Sequence, residues 1–356
     1  GLKEIKYGAF QYSHRLASVV IPDSVTYIHG NAFHYCSSLK DVVLNEGLTE
    51  IDYGAFYMCD ITSLTIPSTV KRIDNDAFAY NRNMTELNFM EGVEEIHYNA
   101  FNDCDALTEV TLPSTLLRCV HSFNSCDNLT TITSNAIVPA YTENYCPVSG
   151  SDLSKVVLKV PVWSIDEYKF APGWSQIPVV EASEYQPETI IIRKDYTFRL
   201  KETDVDSTYR PNIVLKWSDV WSYDDLGHHR AESGNLTINP SRKLNAKSFS
   251  MFYSPYAKYW DDRNRMYGWH DNTKYNTNSL LVKGDMNADD VTITLMNRND
   301  RWQFVSFPFE VRMSDIVPVE ANTQWVIRKY SGLERANGNM DATWDNITAN
   351  DVVEGG

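Results

Sequence analysis

Residues 51–70 of the chain read IDYGAFYMCDITSLTIPSTV, and the same pattern recurs through the first third of the sequence. Five of the six copies have an isoleucine five residues before a phenylalanine, and the sixth has Cys119 in the isoleucine position. Each copy continues with a small residue three positions after the phenylalanine and a run of the Leu-x-x-Val-x-Ile type. The copies are aligned on their phenylalanines, which are Phe10, Phe33, Phe56, Phe78, Phe101 and Phe123. Successive copies lie 22 or 23 residues apart. Six copies at so regular a spacing indicate a repeat architecture.

The physics of one repeat predicts how the copies pack. Only the last three positions of Leu-x-x-Val-x-Ile alternate as a short strand does, and a proline at Pro22, Pro67 and Pro113 ends that strand because it has no N–H for a ladder bond. A unit of about 23 residues cannot bury its apolar side alone, so it must stack on its neighbours. Stacking at about 4.8 Å per rung predicts a right-handed solenoid with a parallel sheet along one face.

The repeat also resembles a known family. The pattern Ala-Phe-x-x-Cys-x-x-Leu-x-x-Val-x-Ile-Pro is similar to the BspA-type leucine-rich repeat, which is common in surface proteins of anaerobic gut and oral bacteria. Residues 158–161 and 168–177 resemble the end cap of that family. The resemblance implies a leucine-rich-repeat solenoid at residues 1–182, with the cap at about 153–180. It also implies adhesion or recognition at the bacterial cell surface or outside the cell, without catalysis and with no fixed set of site residues.

The character of the sequence changes near residue 182. Residues 181–188 are polar, contain Pro187 and predict a linker. Short β-prone runs separated by turn residues then predict an all-β, sandwich-like domain at 183–283. Further β-rich runs predict a second β module at 284–356, which we expect to be truncated. The predicted fold class is therefore mainly β: a right-handed leucine-rich-repeat solenoid followed by one or two small all-β modules.

Charge limits the kinds of partner. The chain has 32 Lys and Arg against 47 Asp and Glu, a net charge of -15, and residues 1–183 alone contribute 11 basic and 22 acidic residues. This balance argues against a nucleic acid as the main partner, because neutralising phosphates needs clustered Lys and Arg. No apolar run of about 18 residues occurs, so no membrane span is predicted. The chain begins inside a repeat, so we expect its natural start, with any targeting signal, to lie upstream.

The residues that usually carry catalysis or bind metals form no complete set. Four cysteines occupy one repeat position that also accepts Ser13 and Asn81, which favours a small buried side chain over a catalytic or zinc-binding one; they are Cys36, Cys59, Cys104 and Cys126. His29 and His97 lie three rungs apart, about 14 Å, which is too far to share a metal ion. The acidic loop at 285–290 lacks the glycine and the bidentate glutamate of a calcium loop. We predict no catalytic residue, no metal site and no cofactor.

The exposed positions of the repeat strands form hydroxyl-rich columns with a few charges. As candidate partner-binding residues they are Lys40, Asp41, Thr62, Thr85, Glu86, Thr108, Glu109 and Thr130. Threonine also suits a solvated sheet because it is β-branched and polar, so these columns are consistent with a plain surface. Solenoids present extended faces to partners, so they are equally consistent with binding an extracellular protein, either a host matrix protein or another surface protein.

An aromatic stretch at residues 249–275 supports a different function. Trp260, Tyr267 and Trp269 lie near Asp261 and Asp271, and rings beside carboxylates can stack on sugars and bond their hydroxyls. The alternative to a protein-binding adhesin is therefore a carbohydrate-binding accessory protein, although large aromatics also fill ordinary β cores. A structural spacer that binds nothing through these faces is the third possibility.

Overall fold

The chain is described by a computed structural model, which covers residues 1–192 without a gap. Beyond them it describes shorter stretches, namely 195–199, 208–215, 221–223, 229–231, 235–238, 242–253, 256–261, 266–271, 279–282, 285–295, 311–312, 328–330, 344–346 and 352–353.

The first twelve strands alternate between two parallel sheets. In chain order they are β1 (Glu4–Ile5), β2 (Ser18–Val20), β3 (Tyr27–Ile28), β4 (Asp41–Val43), β5 (Glu50–Ile51), β6 (Ser63–Ile66), β7 (Arg72–Ile73), β8 (Glu86–Phe89), β9 (Glu95–Ile96), β10 (Glu109–Leu112), β11 (Arg118–Cys119) and β12 (Thr131–Ser134). The odd-numbered strands form a six-stranded sheet. The even-numbered strands, extended by β13 (Val157–Pro161) and β14 (Val179–Ser183), form an eight-stranded sheet. Each repeat thus contributes one strand to each sheet, and the stack makes a solenoid of about nine turns.

The phenylalanines that align the repeats form a continuous ladder inside the solenoid. Five of the six are fully buried, whereas Phe10 at the first rung is 43% exposed. Neighbouring rings lie 4.9 to 5.3 Å apart between centroids and within 7° of parallel. The buried isoleucines of the six-stranded sheet make a second column beside them. Burial repeated at each rung is why the repeat spacing is so constant.

The cysteine position has a specific hydrogen-bonding role. All four cysteines of the column are buried, and each thiol donates to the carbonyl of the phenylalanine in the preceding rung; for Cys36, Cys59 and Cys126 the S···O distance is 3.1 to 3.2 Å, and for Cys104 it is 3.6 Å. Where the column holds Asn81, the side-chain amide makes the same bond to Phe56 at 3.0 Å. The position therefore needs a small side chain with a hydrogen-bond donor, which explains why both cysteine and asparagine occur there.

Two positions of each rung have a left-handed backbone, one two residues before the aligning phenylalanine and one two residues after it. The position two residues before the phenylalanine holds Gly8, Asn31, Gly54, Asp76, Asn99 and His121, all with φ between 47° and 62°. Glycine, asparagine and aspartate tolerate this conformation best. At Gly54 an added Cβ would also lie 2.6 Å from the Asn31 Oδ1 atom. These turns direct the two sheets along different sides of the stack.

The segment after β12 covers the end of the core. Helix α1 (Ile165–Phe170) follows β13, and the side chains of Tyr168 and Trp174 are fully buried. Their polar atoms are bonded to the last rungs, the Tyr168 hydroxyl to Ser134 Oγ at 2.7 Å and the Trp174 Nε1–H to the Ala140 carbonyl at 2.8 Å. Large aromatics with satisfied polar ends thus close the apolar interior where the repeats stop.

The strands that follow pair in more than one way. They are β15 (Thr189–Ile192), β16 (Asp195–Phe198), β17 (Asn212–Leu215), β18 (Trp221–Tyr223), β19 (His229–Ala231), β20 (Asn235–Ile238), β21 (Lys243–Tyr253), β22 (Tyr256–Asp261), β23 (Met266–Asp271), β24 (Ser279–Val282) and β25 (Asp285–Leu295). β15, β17, β21 and β25 form a parallel sheet, β16 pairs with β20 in parallel, and β18, β19, β22 and β23 form an antiparallel sheet.

The parallel sheet stacks its apolar residues much as the repeats do. Ile190, Ile213, Phe249 and Val291 are successive register partners, and the first three of them are buried. The sequence predicted sandwich-like packing here, and the sheets of such a sandwich are antiparallel. The sheet of β15, β17, β21 and β25 is parallel instead. The physical reason is that the segments joining these strands are long and contain the strands of the other two sheets, and connections of such length allow the next strand to pair in parallel.

The chain divides into two units. The first comprises residues 1–279 and 283–296, and the second comprises residues 280–282 and 297–356. In the second unit β26 (Val311–Arg312) pairs with β29 (Val352–Val353), and β27 (Arg328–Tyr330) pairs with β28 (Trp344–Asn346), all antiparallel. The predicted mainly β solenoid is confirmed. The predicted domain limits at 182 and 283 stay predictions.

Candidate binding surfaces of the solenoid

The strand face is the outer side of the eight-stranded sheet, and its side chains alternate as the repeat predicts. In β6 and β10 the pattern runs exposed, buried, exposed, buried. The predicted partner-binding residues fall on this face or at its margin: all are exposed except Thr62, which is half-buried. Because the sheet is parallel and in register, these residues form straight columns in which neighbouring members are about 4.8 Å apart.

Some of the charges on the strand face are already paired. Glu86 accepts hydrogen bonds from Ser63 Oγ at 3.2 Å and from Asn88 Nδ2 at 2.8 Å. The Lys40 ammonium lies 3.4 Å from a carboxylate oxygen of Asp60. By contrast, within residues 1–192 the carboxylates of Asp41 and Glu109 have no hydrogen-bond or ion-pair partner. These two negative charges are therefore the ones that the face can offer to another molecule.

The threonines of the strand face divide into two groups. The hydroxyls of Thr85 and Thr130 donate to the carbonyls of Thr62 and Thr108 in the preceding rung, at 3.2 and 3.3 Å. These two hydroxyls reinforce the stack. The hydroxyls of Thr62 and Thr108 make no such bond within residues 1–192. Two hydroxyls of this column thus hold neighbouring rungs together, and the other two can bond to another molecule.

The aromatic residues predicted to bind glycans lie on a hairpin. Strands β22 and β23 pair antiparallel, with Trp260 opposite Tyr267 and Lys258 opposite Trp269. Only the backbone is described there, and the side chains of Trp260, Tyr267 and Trp269 lie outside the described part of the chain. The register brings two of the three predicted residues together as direct cross-strand partners.

The six-stranded sheet carries a charged column that the sequence analysis did not single out. Arg72 lies between Glu50 at 3.2 Å and Asp74 at 3.6 Å, and His97 Nε2 lies 2.6 Å from Glu95. Burial raises the pKa of Glu95, but the hydrogen bond with His97 and the nearby guanidinium charges outweigh it, so its pKa is below the ordinary value. Of these contacts, the pair of Arg72 with Glu50 joins two rungs, whereas the other two lie within one rung.

Exposed tyrosines gather on the turn side, next to the six-stranded sheet. The most exposed are Tyr7, Tyr12, Tyr53, Tyr98, Tyr141 and Tyr145, each between 46% and 70% exposed. Within residues 1–192 the strand face has no exposed tyrosine, phenylalanine or tryptophan. The two sides of the solenoid therefore differ in chemistry: hydroxyls and carboxylates on one side, aromatic rings on the other.

A strip of rings crosses the first four rungs on this turn side. Tyr12 packs on Tyr35 with centroids 5.6 Å apart, His34 stacks on Tyr57 at 4.8 Å, and Tyr57 meets Tyr80 at 5.2 Å. Burial, followed by the neighbouring tyrosines and Asp76, raises the pKa of Tyr57 to about 12. Its hydroxyl therefore stays protonated and able to donate a hydrogen bond at physiological pH.

Two arginines show how this side of the solenoid holds a cation. The Arg82 guanidinium lies over the Tyr80 ring at 5.6 Å and within 3.7 Å of Asp103 and Asp105. The Arg118 guanidinium lies over the Tyr141 ring at 5.7 Å and pairs with Glu143. A tyrosine ring with adjacent carboxylates is thus a recurring cation site of the solenoid.

Among the residues that the structure describes, no cluster of three His, Cys, Asp or Glu side chains is arranged to hold a metal ion. In that same part of the chain no helix has the length and apolar character needed to cross a bilayer.

The repeat has a counterpart among known families. Residues 3–130 match the BspA type leucine rich repeat region in six copies, the number counted from the phenylalanines. This segment is therefore similar to the BspA-type leucine-rich repeat. The resemblance stated from the Ala-Phe-x-x-Cys pattern is thereby confirmed. The BspA-type repeats cover about a third of the chain, so the segments beyond residue 130 are described on their own.

Two solved structures are similar to the chain. A leucine rich cell surface protein from Faecalibacterium prausnitzii A2-165 is 19% identical, over 50% of this chain and 63% of that one, with a TM-score of 0.26. A leucine-rich repeat protein from Bacteroides ovatus ATCC 8483 is 15% identical, over 82% of this chain and 66% of that one, with a TM-score of 0.27. The chain thus spans less than two thirds of the length of each. No curated protein matches it.

The tyrosines of the turn side were missed by the sequence reasoning, although a signal was available. Tyr7, Tyr53 and Tyr98 all occupy the position three residues before the aligning phenylalanine of a BspA-type repeat. A column of large rings at a position that elsewhere accepts Gly30 and Asn75 is not required by the core. Comparing columns for residues that the core does not need would have identified them.

Proposed function

We propose that the chain is a non-catalytic recognition or adhesion protein of the bacterial cell surface or exterior, which binds a protein partner through the strand face. The observation that supports this is the flat, in-register face on which Asp41 and Glu109 are unpaired within residues 1–192. Such a face fits a broad, complementary protein surface better than a small molecule, because it lacks a concave, water-excluding pocket. The acid excess of the repeats favours a partner with a basic patch.

The test uses the full chain and a panel of immobilised extracellular matrix proteins. The double variant Asp41→Lys/Glu109→Lys is expected to bind at least about tenfold more weakly than the unaltered chain, because it reverses both unpaired charges. The matched control is Asp23→Lys/Asp127→Lys, which changes the net charge equally at exposed positions off the strand columns. Added salt should weaken binding of the unaltered chain.

The result that contradicts the proposal is equal weakening by both double variants, which would indicate a general charge effect. Absence of binding to every protein in the panel would favour a structural spacer. Enzyme-like hydrolysis of a peptide or glycan library by the purified chain would contradict the non-catalytic part. Protease treatment of intact producing cells tests the location: degradation of the chain on unbroken cells is expected.

Carbohydrate binding is the second candidate function, supported by the cross-strand pairing of Trp260 with Tyr267. Adjacent rings on one hairpin can form a platform for a sugar. A glycan array should then show binding that is lost in Trp260→Ala and Trp269→Ala. The control is Tyr145→Ala, which removes an exposed ring from the solenoid instead. Binding that survives both tryptophan variants would contradict this candidate.

A further inference from the structure

Three exposed tyrosines form a regular row on the turn side of the solenoid. This tyrosine row consists of Tyr7, Tyr53 and Tyr98, which are 70%, 50% and 47% exposed. They stand in the first, third and fifth rungs, and Gly30 and Asn75 occupy the same position in the rungs between them. The column is continuous, because the Asn31 N–H donates to the Tyr53 carbonyl at 2.9 Å and the Asp76 N–H donates to the Tyr98 carbonyl at 3.0 Å.

The spacing of the row suits one kind of backbone. The adjacent phenylalanine ladder advances 4.9 to 5.3 Å per rung, so equivalent positions two rungs apart are separated by about 10 Å. A polyproline II helix has three residues per turn at 3.1 Å each, so it presents the same face about every 9.3 Å. An extended strand repeats its face at about 6.6 Å, which does not match the row.

An α-helix fits the row less well. Its turns advance 5.4 Å, so it would present a side chain to every rung and would need a continuous apolar groove. Gly30 and Asn75 interrupt the rings at every second rung; Gly30 is buried, whereas the half-buried Asn75 leaves a recess between Tyr53 and Tyr98. The Tyr7 ring lies 3.5 Å from the place where a Cβ on Gly30 would stand, so the ring covers this glycine and the recess of the row is the one at Asn75. A proline ring is small and flat enough for such a recess.

The polar groups of the row match an unpaired backbone. The Tyr7 hydroxyl accepts a hydrogen bond from Asn31 Nδ2 at 2.9 Å, which leaves its own hydrogen free to donate outward. A polyproline II helix makes no internal hydrogen bonds, so its carbonyls are open to such donors. Tyrosine therefore offers both a face for the proline ring and a donor for the adjacent carbonyl.

One of the carboxylates beside the row favours a basic segment, because Asp52 has no ion-pair partner within residues 1–192, whereas Asp74 is paired with Arg72. Asp52 and Asp74 immediately precede Tyr53 and Asn75, and each accepts the N–H of that neighbour, at 2.8 and 2.7 Å. Asp76 follows in the left-handed turn. The solenoid holds its own Arg82 over the Tyr80 ring beside two carboxylates. An arginine or lysine next to the prolines of a partner would find the same combination of ring and carboxylate.

We propose that the tyrosine row binds a proline-rich segment of a protein partner in the polyproline II conformation, with a basic residue beside the prolines. This surface is separate from the strand face, so it adds a second and more specific contact to the chain. The row spans about 20 Å, which about seven residues of polyproline II cover.

The binding experiment measures fluorescence anisotropy of a labelled peptide with the full chain. The probe is a run of about ten prolines with an arginine at each end. The control peptide has the same charges and length, but every second proline is replaced by glycine so that the rigid helix is lost. The proline peptide is expected to bind and the control peptide to bind at least about tenfold more weakly.

Three variants separate a specific row from general stickiness of tyrosines. Tyr53→Ala removes the central ring and should weaken binding at least about tenfold. Asn75→Tyr fills a recess and should weaken binding although it adds a ring. Tyr12→Ala removes an equally exposed ring outside the row and should leave binding unchanged. Circular dichroism and melting temperature establish that each variant is folded.

Specific results would overturn the proposal. These are equal binding of both peptides, unchanged binding by Tyr53→Ala, or stronger binding by Asn75→Tyr. If a soluble oligosaccharide displaces the peptide and itself loses affinity in Tyr53→Ala, the row is a sugar site and the proposal is wrong. None of these results depends on the strand face, so a failure here is distinguishable from a failure of the proposed function.

Discussion

The phenylalanine ladder predicts that the solenoid is far more sensitive to truncation in its middle than at its first rung. Phe56 is fully buried between two rings, Phe33 at 4.9 Å and Phe78 at 5.1 Å. Phe10 stands at the same repeat position but is 43% exposed and has one ring neighbour, at 5.0 Å. The substitutions Phe56→Ala and Phe10→Ala therefore make the same chemical change in two different environments.

The expected magnitudes follow from burial and from the number of ring neighbours. Truncating a buried phenylalanine to alanine costs about 3–5 kcal/mol, and each aromatic pair adds about 0.5–1.5 kcal/mol beyond its buried area. Phe56→Ala loses two such pairs and should lie near the upper end, at about 5 kcal/mol. Phe10→Ala loses one pair and about half as much buried area, so about 2 kcal/mol is expected.

Urea unfolding followed by far-UV circular dichroism measures both effects. Because each rung is stabilised by its neighbours, a defect at Phe56 should also broaden the transition, since the two sides of the stack become less coupled. Phe10→Ala should shift the transition without broadening it. Equal destabilisation by the two variants would refute the reasoning that each buried ring of the ladder is stabilised by its neighbours. A loss of less than about 1 kcal/mol in unfolding free energy for Phe56→Ala would refute it as well.

Other predictions concern titrating groups. Burial raises the pKa of Cys119 and Cys126 to about 12, so iodoacetamide at pH 7 should leave both unlabelled in the native chain and label both in guanidinium, as read by mass spectrometry. Burial also raises the pKa of Asp76, so above the pKa of the unfolded state its negative charge destabilises the fold. The substitution Asp76→Asn should therefore raise the melting temperature at pH 7 and not at pH 3. An unchanged melting temperature at pH 7 would contradict this. The pKa of Glu95 is below its ordinary value of 4.5, so its contribution is present above that value and lost as pH falls below it; Glu95→Gln should destabilise the chain at pH 7 and have little effect near pH 3, whereas an equal loss at both would contradict the assignment.

The repeats were predictable because one rung resembles the next. The aligned phenylalanines and the small donor position at Cys59 mark local requirements that recur every 22 or 23 residues, and a proline such as Pro67 ends the strand in three of the six copies. Beyond residue 188 the register partners Thr189, Asn212, Ser248 and Asp290 are 23, 36 and 42 residues apart. Because these connections differ in length, no period appears in the sequence, and the parallel sheet there was not predicted.

The candidate surfaces were predictable only in part. Alternation along the strands placed Asp41 and Glu109 on the exposed face, but it could not show that Glu86 is already held by Ser63 and Asn88. Those bonds join residues of the same or adjacent rungs, and their formation depends on side-chain reach and rotamer. The distribution of unpaired charge is therefore a property of the packed stack.

The sequence by itself determined the repeat length, the stacking of rungs and the identity of the buried columns, because each of these follows from a periodic need to bury apolar side chains. Only the tertiary structure decided which surface groups are free, how far each tyrosine ring is exposed, and how the strands after residue 188 pair. These features depend on contacts between side chains and on connections of unequal length, which leave no regular pattern along the chain.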